Sequence, residues 1–189
     1  RGYSGDVSQQ AGNVVQATMR TYREAMKGLL PTPSKSHYTF NLRDFSRVVQ
    51  GVLLQEPSDQ FQNKPSVMRL WTHEALRVFG DRLTDDTDRQ WMCDHCSAMC
   101  KEVFKCDFQS EFDHIRPADE TETGYGTLRR LFWGDYMTPA DEDERPYAEV
   151  PDLQQLQERT EEALSDFNSA SKKPMELVMF MFAIEHVSR

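Results

Sequence analysis

The chain has 189 residues, of which 38% are hydrophobic, and its formal net charge at pH 7 is −9. This length supports one ordinary domain, with or without a small appendage, and excludes two full enzyme domains. The acidic balance argues against a nucleic-acid-binding surface, which needs clustered lysine and arginine. No apolar run approaches the roughly 20 residues of a membrane span, so we expect neither a nucleic acid nor a membrane as partner.

The first predicted helix covers residues 6–30, where apolar side chains recur at steps of three and four. The predicted inward face consists of Val14, Thr18, Tyr22, Met26 and Leu29. The next segment, PTPSKSHYTFN at residues 31–41, holds two prolines, which prevent a helix and favour extended backbone. Because Tyr38 and Phe40 alternate within it, we predict an ordered strap and not a loose linker.

The second predicted helix begins after Asn41 and ends before Pro57. Asn41 is a favourable N-cap, and Asp44 three residues later can complete a capping box. The predicted apolar face consists of Leu42, Phe45, Val48, Val49, Val52 and Leu53. A third helix has Pro65 in its first turn. Its predicted inward side chains are Val67, Leu70, Trp71, Val78, Phe79 and Leu83.

A fourth helix is predicted at residues 86–105, after the capping sequence TDDTD. Residues 108–150 are polar and acidic, and only LRRLFWGDYM at 128–137 is apolar enough to pack. The runs DETE at 119–122 and DEDE at 141–144 predict solvated loops. Pro151 opens a fifth helix, whose predicted stripe is Leu153, Leu156, Thr160, Ala163 or Leu164, and Phe167. Pro174 opens a last helix, apolar nearly all round, that is buried or meets a partner. The predicted fold class is therefore all-α.

All four cysteines lie in WMCDHCSAMCKEVFKC at residues 91–106. A structural zinc site usually has two C-x-x-C pairs, and this segment has one, in which His95 would point away from the thiols. In a helix Cys93, Cys96, Cys100 and Val103 share one face, which Phe104 extends. We predict a buried stripe of reduced thiols, typical of a cytosolic protein. A metal site and a redox pair are the alternatives.

Motifs for independent catalysis are missing from the sequence. His73-Glu74 resembles the start of a zinc-protease motif, but Arg77 stands where the second histidine is needed. The sequence has no G-x-S-x-G and no phosphate-binding loop. We therefore expect no nucleotide hydrolysis by this chain alone.

Arg43, at the second position after the Asn41 cap, is the candidate binding residue. A guanidinium beside the free N–H groups of a helix N-terminus is suited to an oxyanion or a phosphate. The alternative is an exposed helix arginine that pairs with Asp44 or with neighbours of Arg47.

Four stretches resemble one family. LLPTPSKSHYTFNLRDFSRVVQGVLL at 29–54 resembles the small helical lid subdomain of the third AAA+ module of axonemal dynein heavy chains. LWTHEALRVFGDRL at 70–83 is similar to the following lid helix, and LFWGDYMTP at 131–139 to the segment that leaves the lid. ELVMFMFAIEHVSR at 176–189 is similar to the helix that opens the fourth module, and its ending most resembles the inner-arm subgroup. Since the chain has no initiator methionine, we expect a piece of a longer protein.

The resemblance implies three regions. Residues 1–107 would be the AAA+ lid helical bundle of the third module, and residues 108–150 a polar, acidic connecting segment. Residues 151–189 would be a helical linker and the first helix of the fourth module. Arg43 matches the family's sensor-2 arginine, which contacts the nucleotide phosphates, and His37 and Tyr38 match positions expected to be packing residues.

The resemblance also implies a function. The parent chain would be an ATP-driven, minus-end-directed microtubule motor of the cilium and flagellum axoneme, within the cytoplasm and cytoskeleton. ATP or ADP, with Mg, would be held mainly by a phosphate loop and an acidic motif before Arg1. Partners would be the neighbouring AAA+ modules, dynein intermediate and light chains, and microtubules. The alternative function is a stand-alone α-helical protein-interaction module, which would use the apolar last helix as its surface.

Overall fold

The structure, a computed structural model, describes residues 2–58, 61–138, 144–150 and 152–189. It divides into two compact units, Arg1–Leu131 and Phe132–Arg189. The predicted all-α class is confirmed, because the described strands form only one two-residue pairing. The α-helices are α1 Gly5–Gln9, α2 Ala11–Gly28, α3 Leu42–Val52, α4 Lys64–Val78, α5 Asp86–Met99, α6 Phe108–Glu111, α7 Tyr125–Arg129, α8 Leu153–Ala170 and α9 Met181–Ser188.

The first predicted helix is two helices, α1 and α2. The buried face of α2 consists of Val14, Ala17, Thr18, Thr21 and Ala25. Its two threonines are buried at no cost in hydrogen bonding, because each hydroxyl donates to the carbonyl four residues earlier. Met26, predicted to face inward, is 48% exposed. Val14, Thr18 and Leu29 are buried as predicted, and the small residues Ala17, Thr21 and Ala25 complete the packed face in place of Met26.

Helix α3 has the predicted cap but a different buried face. Asp44, Val48 and Gly51 are buried, whereas Leu42 and Leu53 are 64% and 70% exposed. The prediction for these two leucines was wrong. The face of α3 that contains Gly51 packs against the neighbouring helix α4. Leu42 and Leu53 lie outside this face and are therefore exposed to solvent.

Helix α4 is the centre of the first unit. Pro65 lies in its first turn, and Asn63 caps it by accepting a hydrogen bond from the amide of Ser66 (2.9 Å). All six side chains predicted to face inward are buried. Trp71 is fully buried, and its indole Nε1 donates to Thr18 Oγ1 (3.0 Å).

Helix α5 is shorter than predicted. It ends at Met99 and continues as one π-helical turn, Cys100–Phe104. Lys105 then adopts a left-handed conformation (φ 54°), which ends the helical path. At the other end, Asp85 is the N-cap and accepts from the amide of Asp88 (2.8 Å).

The segment at residues 108–150 is divided between the two compact units. Its residues up to Leu131 belong to the first unit, into which they bury Phe108, Phe112, Ile115, Leu128 and Leu131. The acidic run at 119–122 is mostly exposed, as predicted. Of the second acidic run, Asp141, Glu142 and Asp143 lie outside the described residues.

The second unit is small. Strand β1 (Trp133–Gly134) pairs antiparallel with β2 (Ala148–Glu149). Its core consists of Phe132, Val150, Leu156 and Ile184. The last helix was predicted to begin at Pro174, but α9 begins at Met181 and buries only Ile184. Of the side chains predicted to form one stripe on α8, Leu156 is buried and Phe167 is exposed. Pro151 was predicted to open this helix, but it lies outside the described residues.

Across the described ranges, no helix combines the length and the apolar character that crossing a membrane requires.

Candidate functional site

Arg43 lies in the first turn of α3, where a capping box fixes the backbone. Asn41 Oδ1 accepts a hydrogen bond from the amide of Arg43 (2.8 Å), and Asp44 Oδ2 accepts one from the amide of Asn41 (2.9 Å). The Arg43 side chain is exposed, and within the described part of the chain its guanidinium makes no ion pair. The site therefore presents an unneutralised cation on a rigid helix end.

The surface around Arg43 is an open groove of about 320 Å³ along α3. Its lining is Leu42, Arg43, Ser46, Arg47 and Gln50. Arg47, one helical turn after Arg43, is also exposed, and its guanidinium lies 3.8 Å from Asp44. Two arginines thus share this solvent-facing side, which gives the groove a positive charge.

The alternative expectation, an ion pair between Arg43 and Asp44, is not formed. The Asp44 side chain is only 4% exposed, and its closest cationic partner is Arg82, at 3.2 Å. Asp44 is therefore buried and paired with Arg82, so the guanidinium of Arg43 remains available to bind an anion.

The strap before α3 is ordered, as predicted. Tyr38 is 1% exposed, and its hydroxyl donates to Asp88 Oδ2 (2.7 Å) while accepting from the amide of Thr84 (3.0 Å). Lys35 pairs with Asp88 (2.5 Å) and with Asp85. His37, expected to be a packing residue, is instead exposed, and its Nε2 lies 2.8 Å from the carbonyl oxygen of Arg82.

Arg82 is the residue of this region that the sequence analysis missed. It lies in the 3₁₀ turn Gly80–Arg82, after α4. Its Nη2 donates to the carbonyls of His37 (2.8 Å) and Thr39 (3.3 Å), and its guanidinium lies 4.6 Å from the centroid of the Phe40 ring. The only signal in the sequence was a basic residue directly after a helix end, which is too common to single it out.

The cysteine segment forms the predicted stripe. Cys93, Cys96, Cys100, Val103 and Phe104 are all buried. His95 points to another side, where its Nε2 lies 3.0 Å from Thr21 Oγ1 and its ring stacks on Trp91. Where the structure describes the chain, it contains no group of three or more ligating side chains that could hold a metal ion.

Burial makes these thiols poor nucleophiles. It raises the pKa of Cys93 to about 11 and that of Cys100 to about 12, and raises the pKa of Cys96 strongly. We expect a thiol reagent at pH 7.5 to modify only the half-buried Cys106 in the folded chain, and all four cysteines in urea. Mass spectrometry of the labelled chain would measure this. Fast native labelling of Cys96 would contradict the buried stripe.

The same shifts set a pH dependence. The folded thiols hold their protons more tightly than the unfolded ones, so the unfolded chain ionises first as the pH rises. We therefore expect the free energy of unfolding to fall between about pH 9 and pH 11.

Part of the chain matches a family model, and most of it aligns with known proteins. Residues 3–89, which include the strap, the Arg43 groove and Arg82, match the family model "Dynein heavy chain, ATPase lid domain". The chain is 45% identical over 177 residues to dynein axonemal heavy chain 12 of Mus musculus and 48% identical over 176 residues to dynein axonemal heavy chain 3 of Homo sapiens. It is 36% identical over 176 residues to dynein axonemal heavy chain 1 of Mus musculus.

Each alignment covers 93% of this chain but only 4–6% of the relative. Residues 3–89 thus form a helical ATPase lid domain, and a further small unit, Phe132–Arg189, lies later in the chain. The chain belongs to the dynein heavy chain family, with axonemal members as its relatives.

Proposed function

We propose that this chain is a segment of an axonemal dynein heavy chain, an ATP-driven, minus-end-directed microtubule motor of cilia and flagella. Within that motor, the lid bundle at residues 1–107 caps the nucleotide of the third AAA+ module, and residues 108–189 link it to the fourth. The observation that carries the nucleotide role is the exposed Arg43, which lies at a capped helix end inside the matched lid domain and has no ion pair among the described residues.

The regional assignment belongs to the same proposal. Residues 1–107 are assigned to the lid bundle, 108–150 to the connecting segment and 151–189 to the linker and the first helix of the fourth module. Identities of 43–48% to axonemal heavy chains 12 and 3 support the axonemal class. The inner-arm assignment rests on the resemblance of the last residues, FAIEHVSR.

Arg43 fits the role of a phosphate contact, because a guanidinium can donate to two phosphate oxygens at once. ATP or ADP, with Mg, would supply the phosphate chain, and the other parts of the heavy chain would hold most of it. Arg43 would place a fixed positive charge where charge develops on the phosphates, an effect worth about 3 kcal/mol in comparable sites. Arg47, on the same side of α3, would add longer-range attraction.

The first test separates the isolated chain from the complete protein. We expect the 189-residue chain to bind ATP weakly or not at all and to release no phosphate from it, whereas the complete heavy chain turns ATP over. A phosphate-release assay on both would measure this. Turnover by the isolated chain that is lost on Arg43→Ala would show that this segment catalyses hydrolysis and would refute the proposed division of labour.

Partners follow from the family. Neighbouring AAA+ modules of the same chain would contact this segment, while intermediate and light chains and microtubules would bind elsewhere on the heavy chain. The cellular place would be the axoneme, within the cytoplasm and cytoskeleton.

The alternative, a stand-alone interaction module, has one observation in its favour. The second unit exposes apolar side chains at Phe167, Met175, Leu177, Val178, Phe180, Phe182 and Val187. Neighbouring parts of a large heavy chain would cover such a surface equally well, and the identity to heavy chains extends over 93% of the chain. The heavy-chain proposal therefore accounts for both observations.

A further inference from the structure

We infer that Arg82 and Asp44 are positioning residues for Arg43, an inference that rests on the proposed nucleotide role of Arg43. They hold the end of the strap and the first turn of α3 in one arrangement. The carboxylate of Asp44 is almost completely buried and must therefore be neutralised by fixed partners.

Each oxygen atom of Asp44 has a defined use. Oδ2 accepts the amide hydrogen of Asn41 (2.9 Å) and also faces Arg82 Nη1 (3.2 Å). Among the described residues, the cationic partner of Oδ1 is the distant, mostly exposed guanidinium of Arg47, at 3.8 Å. Loss of Arg82 would leave this buried carboxylate with a weak partner, so the side chain would turn toward water. The bond to the Asn41 amide, half of the capping box, would break with it.

Arg82 acts on the strap as well as on the helix. Its Nη2 donates to the carbonyls of His37 and Thr39, and its plane covers the ring of Phe40. These contacts come directly before Asn41, whose side chain caps the amide of Arg43. One side chain therefore connects the last residues of the strap with the first turn of α3, and Arg43 extends from that junction.

Arg82 is not itself a suitable phosphate contact. Its Nη2 already donates to two backbone carbonyls, its Nη1 is ion-paired with Asp44, and its side chain is only 28% exposed. Arg43 has the opposite character, with an exposed guanidinium free of ion pairs among the described residues. The two arginines thus have different roles. Arg82 holds the backbone in place, and Arg43 is exposed to the ligand. Lysine cannot replace Arg82, because a point charge cannot reach Asp44, two carbonyls and a ring together.

The test is a double-mutant cycle in the complete heavy chain, with ATP affinity as the readout. We expect Arg82→Gln and Asp44→Asn each to weaken one class of ATP sites about tenfold, as loss of one charged hydrogen-bond network does. Arg82→Lys should recover less than half of that loss. The double variant Arg43→Ala/Arg82→Gln should bind no more weakly than Arg43→Ala alone, because Arg82 acts only through Arg43. Additive losses would overturn the inference.

A structural readout separates this inference from the proposed function. We expect Arg82→Gln to speed hydrogen exchange of the Asn41 and Arg43 amides about tenfold or more, while Arg43→Ala leaves the Asn41 amide unchanged. Arg23→Gln, an exposed arginine on α2, is the matched control and should alter neither readout. Unchanged exchange in Arg82→Gln would refute the positioning role. If Arg82→Gln speeds exchange but Arg43→Ala binds ATP normally, the nucleotide role of Arg43 is refuted. The positioning role of Arg82 and Asp44 would still stand.

Discussion

Gly51→Ala is expected to lower the free energy of unfolding of the first unit by about 3 kcal/mol. A β-carbon at Gly51 would lie 1.9 Å from Glu74 Oε2 and 2.1 Å from its carboxyl carbon. Glu74 cannot move aside easily, because it is fully buried and held by Arg77 Nη2 (2.7 Å) and Nε (2.9 Å). The substitution would therefore either push the helices α3 and α4 apart or break the ion pair between the buried Glu74 and the half-buried Arg77. Urea denaturation would measure the loss.

Gly12→Ala is the matched control. Gly12 also lies in a helix, but a β-carbon there contacts nothing within 4 Å. We therefore expect the free energy of unfolding to rise by about 0.5 kcal/mol. In a Glu74→Ala background, which removes the obstructing carboxylate, Gly51→Ala should cost almost nothing. If Gly51→Ala behaved like Gly12→Ala in the parent chain, the close approach of α3 to α4 would be wrong.

Trp71→Ala is expected to cost about 4 kcal/mol, the largest effect of a single core residue in the first unit. The ring is completely buried, packs at 5.4 Å from the ring of Phe104, and donates through Nε1 to Thr18. These contacts join α4 to α2 and to the π turn after α5. The substitution would open a cavity between all three, which chemical denaturation would detect as a lower midpoint.

Two further variants resolve the contributions. Trp71→Phe keeps most of the ring and loses the hydrogen bond to Thr18, so we expect a cost of about 1.5 kcal/mol. Trp91→Ala removes a half-buried ring that stacks on His95 and should cost less than about 2 kcal/mol. A Trp71→Ala cost no larger than that of Trp91→Ala would contradict the central position of α4.

Features encoded by neighbouring residues were predictable. The capping box of Asn41 and Asp44 needs only residues three apart, and the inward face of α4 follows from its large apolar side chains. The cysteine stripe followed from helical spacing in the same way. In each case the physical cause lies within one or two helical turns, so the sequence contains the whole of the signal.

The residues of α2 and α3 that were wrongly predicted to face inward (Met26, Leu42 and Leu53) have one cause in common. Periodicity assigns the inward face to the largest apolar residues, but both helices pack through small ones, Ala17, Ala25 and Gly51. Small residues allow close approach of helices, and this preference depends on the neighbouring helix, which the local sequence does not specify. The last helix was overestimated because an apolar run such as residues 177–184 does not by itself define a helix start.

The contacts that position Arg43 join residues that are distant in the sequence, so the sequence did not predict them. Arg82 and Asp44 are 38 positions apart, and the buried pair of Glu74 and Arg77 is understandable only with Gly51 of α3 beside it. Arg43 itself could be proposed from its position after a cap. Only the structure shows that Asp44 pairs with Arg82, and that Arg43 forms no ion pair with any residue in the described ranges.

The most direct test of the central claim is ATP binding by the complete heavy chain with Arg43→Ala, measured by equilibrium titration beside Arg23→Gln. A heavy chain with several AAA+ modules would hold several nucleotides, so we expect one class of sites to weaken by about ten- to a hundredfold and the others to stay unchanged. Arg23→Gln should leave every class unchanged. Unaltered affinity at all sites in Arg43→Ala, with the fold intact, would show that this arginine does not contact the nucleotide.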